Sequence, residues 1–127
     1  MMGKPLTGVL TLAALSLVIA GHASAAGDAA AGKAVFQQNC AICHSVDPGA
    51  NKIGPSLHGV VGRKSGSLPG YEYSSAMKAA DKTWAPQTLD TYLAAPMQVV
   101  KGTKMIFPGL KSDTERQNVI AYLATLK

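Results

Sequence analysis

The chain has 127 residues, 12 Lys+Arg against 7 Asp+Glu for a formal charge of +5, and 47% hydrophobic residues. That length reads as one domain, and that apolar content excludes a disordered polar chain. Two cysteines exclude a disulfide-dense scaffold, and a single long apolar stretch near the start excludes a polytopic membrane protein.

Residues 1–25 read as a cleavable secretory signal. Lys4 gives a positive start, Leu6 to Ala20 is apolar and uncharged, and Ala23-Ser24-Ala25 places small residues before a cleavage point near Ala25 or Ala26. The apolar run is shorter than the roughly 20 residues that span a bilayer, so no permanent membrane span is expected. The working domain is then 26–127, and the product is expected to be exported.

Asp28 is placed to cap a helix over Ala29 to Asn39, with Gly32, Phe36 and Asn39/Cys40 on one face. Residues 44–72, rich in proline and glycine, read as loop. A short helix follows Tyr73, capped by Ser74 or Ser75, with Ala76 to Ala80 inside. Another starts at Pro86 and runs to Ala95, where Pro96 stops it, and residues 97–111 are loop again. The last helix opens on a capping box, Ser112-Asp113-Thr114-Glu115, and presents Val119, Ile120, Tyr122, Leu123 and Leu126. No alternating strand pattern occurs, so the fold class is all-α, short helices joined by long loops. Loops this long in so small a domain usually wrap something. Glycine inside a helix costs about 1 kcal/mol against alanine. Gly32 therefore marks a close approach: the first and last helices are expected to cross there, with Phe36 and Tyr122 beside the contact.

Residues 26–127 hold only 28 large apolar side chains, which is thin for a domain of this size. Another component must fill the interior. Cys40-Ala41-Ile42-Cys43-His44 has the Cys-x-x-Cys-His spacing of covalent c-type haem attachment. Thiols at i and i+3 of a helical turn share one side and can form thioethers with two vinyl groups. His44, next in the chain, can turn its imidazole to the iron. A thioredoxin-like pair would need a strand first, a zinc site would need four ligands in paired spacing, and a disulfide would leave His44 and the thin core unexplained. A buried porphyrin contributes on the order of ten kcal/mol gross at about 25 cal/mol per Å², so the chain without it should fold poorly.

The candidates for a sixth iron ligand are His58, Met77, Met97 and Met105, with lysines at high pH. His58 reads more simply as a structural histidine, Met77 as core and Met97 as surface. Met105 sits in Gly102-Thr103-Lys104-Met105-Ile106-Phe107-Pro108-Gly109, a loop able to project one side chain inward.

Taken together, Cys-x-x-Cys-His, Gly54-Pro55-x-Leu57-His58-Gly59, Gly62-Arg63-Lys64, Trp84, Tyr92-Leu93, Gly102 to Phe107 and Ala121-Tyr122-Leu123 resemble the class I cytochromes c. That group includes mitochondrial cytochrome c and related bacterial periplasmic carriers, and the resemblance spans the whole of 26–127. It implies one haem c bound through Cys40 and Cys43, with His44 and Met105 as axial ligands. It also implies that the Pro55 carbonyl accepts from His44 Nδ1, a bond that orients the ligand. By the same resemblance Tyr92 lies near the Met105 sulfur, Tyr73 and Trp84 bond a haem propionate, and Arg63 sits near that charge. The implied activity is one-electron outer-sphere transfer, with no enzymatic role. Two rival readings are a haem enzyme of peroxidase type with a labile sixth site, and a bound subunit of a larger redox complex.

Without the signal the charge falls to +4, or about +3 with ferric haem and two propionates and about +2 when reduced. No basic run or nucleic-acid motif accompanies it, so nucleic acid is not an expected partner. Acidic docking faces on quinol–cytochrome c reductase, cytochrome c oxidase or a photosynthetic reaction centre are the expected partners of a monomeric carrier. Asn39, Met97 and Gln98 stand where the mitochondrial members carry lysine. The basic ring is therefore thinner, leaving Lys33, Lys52, Lys104 and Lys111.

Overall fold

The computed structural model describes residues 1, 3, 4 and 27–127. The expected export segment and its cleavage point fall almost wholly outside the described residues. Among those residues the elements are five helices: α1 (Ala29–Asn39), α2 (Ser75–Ala79), α3 (Pro86–Ala94), α4 (Pro96–Val99) and α5 (Asp113–Ala124). The class is all-α as expected, with one isolated backbone bridge between Lys64 and Thr83.

The caps follow from residue chemistry. The Asp28 carboxylate accepts from the N–H groups of Ala30 and Ala31 at 2.8 and 3.1 Å, satisfying amides that have no partner inside α1. Ser74 caps α2 through Met77 N at 3.0 Å, and Ser112 caps α5 through Glu115 N at 3.3 Å. α4 corrects the expected loop over 97–111. Pro96 does end α3, because it lacks an N–H and restricts Ala95, which adopts φ −156° and ψ 69°. The same fixed φ suits the first position of a new helix, and a further turn forms over Pro96–Val99.

α1 and α5 pack together and cross at Gly32. A Cβ there would overlap the backbone carbonyl of Asn118 and lie 2.9 Å from Tyr122 Cβ. The absence of a side chain is what allows two helix backbones this close. Phe36 and Tyr122 pack beside the crossing with centroids 5.6 Å apart at 57°. Asp28 N donates to the Asn118 side chain at 2.9 Å, fastening the start of α1 to α5. α3 packs on α5 in turn.

Arg116, on α5, is buried where a surface charge would be the default. Its Nε donates to Asp90 on α3 at 2.8 Å, one terminal nitrogen to the Leu110 carbonyl at 2.8 Å, and the other to Asp113. The two long loops, over 40–74 and 100–112, contribute residues to the wall of one cavity. Much of the buried apolar set, including Val60, Trp84, Leu89, Tyr92, Leu93, Val119 and Leu123, faces an internal cavity. The thin core of the sequence is thus a shell around a space.

Candidate functional site

The cavity has a volume of about 530 Å³ and is mostly apolar, with an opening to solvent. Cys40 closes the C-terminal end of α1 and Cys43 lies in the turn that follows. His44 N donates to the Cys40 carbonyl at 2.9 Å, which holds the five residues in one tight turn. Both cysteines and His44 line the cavity. The two thiols are free rather than joined to each other. Burial, with a smaller contribution from Cys43, pushes the Cys40 thiol up to about 11. A redox dithiol takes its low pKa from a helix N-terminus, whereas this pair follows a helix C-terminus. Among the described residues no group of three or more His, Cys, Asp or Glu side chains converges to hold a metal ion.

His44 Nδ1 lies 2.7 Å from the Pro55 carbonyl oxygen, the arrangement expected from the sequence. Nδ1–H donates and leaves Nε2 with its lone pair. Burial holds the imidazole below its usual pKa, the Pro55 bond opposes that, and the Lys52 charge adds to it. Gly54 was not anticipated as a site residue. A Cβ there would be 2.7 Å from His44 Nδ1, so the ring needs glycine at that position. The signal was its place immediately before Pro55.

Met105 lines the same cavity as His44. It is carried by the loop between α4 and α5, where its N–H donates to the Thr103 hydroxyl at 3.2 Å. The Tyr92 hydroxyl donates to its sulfur at 3.4 Å, bringing those two residues together as expected. Burial raises the Tyr92 pKa, opposed by a bond with Thr103, so the phenol keeps its proton and remains a donor. Trp84 packs on Tyr92 with centroids 4.7 Å apart. Of the other candidate ligands, Met77 also faces the cavity and Met97 is 46% exposed. The His58 ring instead contacts the Val46 carbonyl at 3.2 Å.

Arg63, Tyr73 and Trp84 gather at one part of the wall. Trp84 N donates to the Arg63 carbonyl at 2.9 Å, pairing the two stretches. The Arg63 guanidinium donates to the carbonyls of Ser56 (3.0 Å) and His58, and it makes no ion pair among the described residues. Burial lowers its pKa and the Tyr73 phenol raises it. A cation at the wall of an apolar cavity, without a carboxylate of its own, fits an anionic group on whatever fills the space. Tyr71 completes this wall, its hydroxyl donating to the Ile53 carbonyl at 2.9 Å and its ring edge-on to Tyr73. The Tyr-x-Tyr spacing after Gly70 was its only mark in the sequence. The cavity therefore suits a large, mostly apolar group with an acid substituent, and two thiols, an imidazole and a thioether are available on its wall.

The comparisons agree with this description. The chain is similar to cytochrome c2 of Rhodomicrobium vannielii, 50% identical over 117 residues that cover 91% of this chain and 93% of that protein. It is 50% identical over 97 residues to cytochrome c type-1 of Ascaris suum, covering 76% and 87%. Among solved structures it resembles cytochrome cH from Methylobacterium extorquens, with a TM-score of 0.73 and 44% identity over 78% of this chain and 99% of that one. The fold is that of a class I c-type cytochrome. The cytochrome c family model matches residues 29–127, and the chain belongs to that family. It is an electron carrier rather than an enzyme, and its cofactor is one covalently bound haem c.

Proposed function

We propose that the chain is a periplasmic one-electron carrier whose haem is attached through Cys40 and Cys43 and held between His44 and Met105. The observation that carries this reading is that the imidazole and the thioether line one cavity together with both thiols. Bound haem supplies a ferrous–ferric couple, which a thioether ligand shifts toward the ferrous side. Pro55 fixes the His44 ring. Tyr92 orients the Met105 sulfur. Arg63, Tyr73 and Trp84 would hold a propionate of bound haem. Haem held by both side chains would leave no open site for a substrate and would reorganise little as the electron passed, which favours a carrier over the peroxidase alternative.

Residues 1–25 direct export and are removed. The monomeric carrier then docks through its cavity mouth on acidic faces of reductase, oxidase or reaction-centre partners. Three of the four expected ring lysines have ammonium groups held on backbone carbonyls: Lys52 on Ala41 (2.6 Å), Lys104 on Glu72 (2.5 Å) and Lys111 on Ala94 (2.9 Å). A second reading is a bound subunit of a larger redox complex. It is favoured by the 48% identity to the cytochrome cy of Rhodobacter capsulatus, of which the match covers only 52%.

The test is the visible spectrum of the purified ferric and ferrous protein, with and without carbon monoxide. A closed His/Met site resists carbon monoxide at neutral pH and shows a sulfur-to-iron charge-transfer band when ferric. Ready binding would overturn it.

A further inference from the structure

The haem-carrier reading uses Met105 but leaves open what holds the loop that carries it. That loop lines the cavity with Met105 and Phe107, which are only partly buried, and leaves Ile106 93% exposed; its fully buried apolar residues are Val100 at one end and Leu110 at the other. Leu110 N donates to the Leu93 carbonyl at 2.8 Å, and Gly109, at φ +100°, lies against the backbone of Ala94. The far end of the loop is thus seated on the end of α3. The Leu110 carbonyl is taken by Arg116 at 2.8 Å. The same guanidinium holds Asp90 at 2.8 Å, two residues before Tyr92, whose hydroxyl touches the Met105 sulfur.

We infer that Arg116 is a positioning residue for the Met105 ligand, clamping through one planar fork both the end of the ligand loop and the helix that carries Tyr92. It touches neither sulfur nor cavity. Its side chain is 10% exposed, and it is the only charged residue buried in the core among the described residues. Surface ion pairs contribute little, but removing one partner of a buried network leaves the others unmatched. Lysine cannot replace it, because a single ammonium does not span a carboxylate on one helix and a carbonyl beyond it with fixed planar geometry. With Arg116 loosened, the loop should lift from the iron more often while the His44 side stays in place.

The inference rests on Met105 being an iron ligand, and the experiment separates the two. Ferric holoprotein is titrated with imidazole, which competes only for the sixth position, in the unmutated protein and in Arg116→Lys, Met105→Ala and Val35→Ala. Val35 is buried in α1 away from the cavity and reports general destabilisation. Arg116→Lys is expected to bind imidazole about tenfold more tightly than the unmutated protein. It should retain a weakened charge-transfer band and low-spin character, and Val35→Ala should stay within about twofold. Equal affinities in Arg116→Lys and Val35→Ala would overturn the positioning role. Absence of the band in the unmutated protein, with no gain in Met105→Ala, would overturn the ligand assignment instead. If Arg116→Lys yields no folded holoprotein, Asp90→Asn decides. It weakens the same fork, and an imidazole affinity no greater than that of Val35→Ala would overturn the inference.

Discussion

The Tyr92 hydroxyl donates to the Met105 sulfur across 3.4 Å, joining α3 to the loop over 100–112. The two residues are 13 apart in the chain and reach the cavity from different elements. A donor on a thioether withdraws electron density from the sulfur lone pairs, so the sulfur stabilises ferric iron less well. Tyr92→Phe should keep the charge-transfer band and lower the reduction potential by a few tens of millivolts. A neutral hydrogen bond is worth about 1 kcal/mol, and 59 mV corresponds to a tenfold change for one electron. Redox titration checks it, and an unchanged or raised potential would count against the bond.

Met105→Ala should abolish the charge-transfer band, lower the potential and admit carbon monoxide. Met97→Ala should do none of these, because that side chain is 46% exposed. Spectra of the two variants side by side decide the ligand. Loss of the band in Met97→Ala alone would reverse the assignment.

Gly32→Val should destabilise the folded holoprotein without changing its visible spectrum. The added side chain meets the Asn118 carbonyl, and backbone cannot yield as a flexible side chain can. Overpacking costs roughly 1–3 kcal/mol, and about 4–8 °C accompanies each kcal/mol in a domain near 100 residues. A thermal midpoint at least about 4 °C below that of the unmutated protein is expected. An unchanged midpoint would contradict the crossing.

Stability should fall as pH drops below the ordinary imidazole range. Burial holds His44 below its usual value of 6.5, and bonding of Nε2 to iron would hold it there more firmly, so the unfolded chain with His44 released takes up a proton that the folded chain refuses. The His44 contribution is therefore complete above 6.5 and declines below it, toward the lowered folded value. Urea unfolding between pH 7.5 and 5 measures the slope. A midpoint that rises as the solution is acidified would contradict it.

The rate of electron transfer to an isolated oxidase or reaction centre should fall as ionic strength rises, because exposed charges are screened beyond about 10 Å at 0.1 M salt. Lys52→Gln and Lys104→Gln should each reduce the low-salt rate and flatten the dependence. A rate already flat in the unmutated protein would remove the lysine face as the steering element.

Local signals in the sequence were reliable where one residue's chemistry decides the structure. Asp28, Ser74 and Ser112 cap the helices they were expected to cap, and Gly32 marks the crossing. The Cys-x-x-Cys-His run and the thin core together announced a cofactor. The turn over Pro96–Val99 was missed because proline was read as a terminator, when it also starts helices. Arg116 was missed for a different reason. An arginine in the polar sequence Asp113-Thr114-Glu115-Arg116-Gln117 looks solvated, and its burial depends on Asp90 and Leu110, which only the tertiary fold brings to it. Gly54 and Tyr71 belong to the same category, since their roles exist only once His44 and Ile53 are in place.

The clasp between α1 and α5 also orders events in time. A chain that emerges amino end first presents α1 and the Cys40–His44 turn long before Asn118, with 90 positions separating Asp28 from the residue that fastens it. Until that last stretch arrives, Gly32 has nothing to pack on and the two thiols have no closed wall around them. The long sequence separation therefore leaves both sulfurs open to attachment chemistry until α1 and α5 meet, and because the chain folds poorly without its haem, attachment precedes closure.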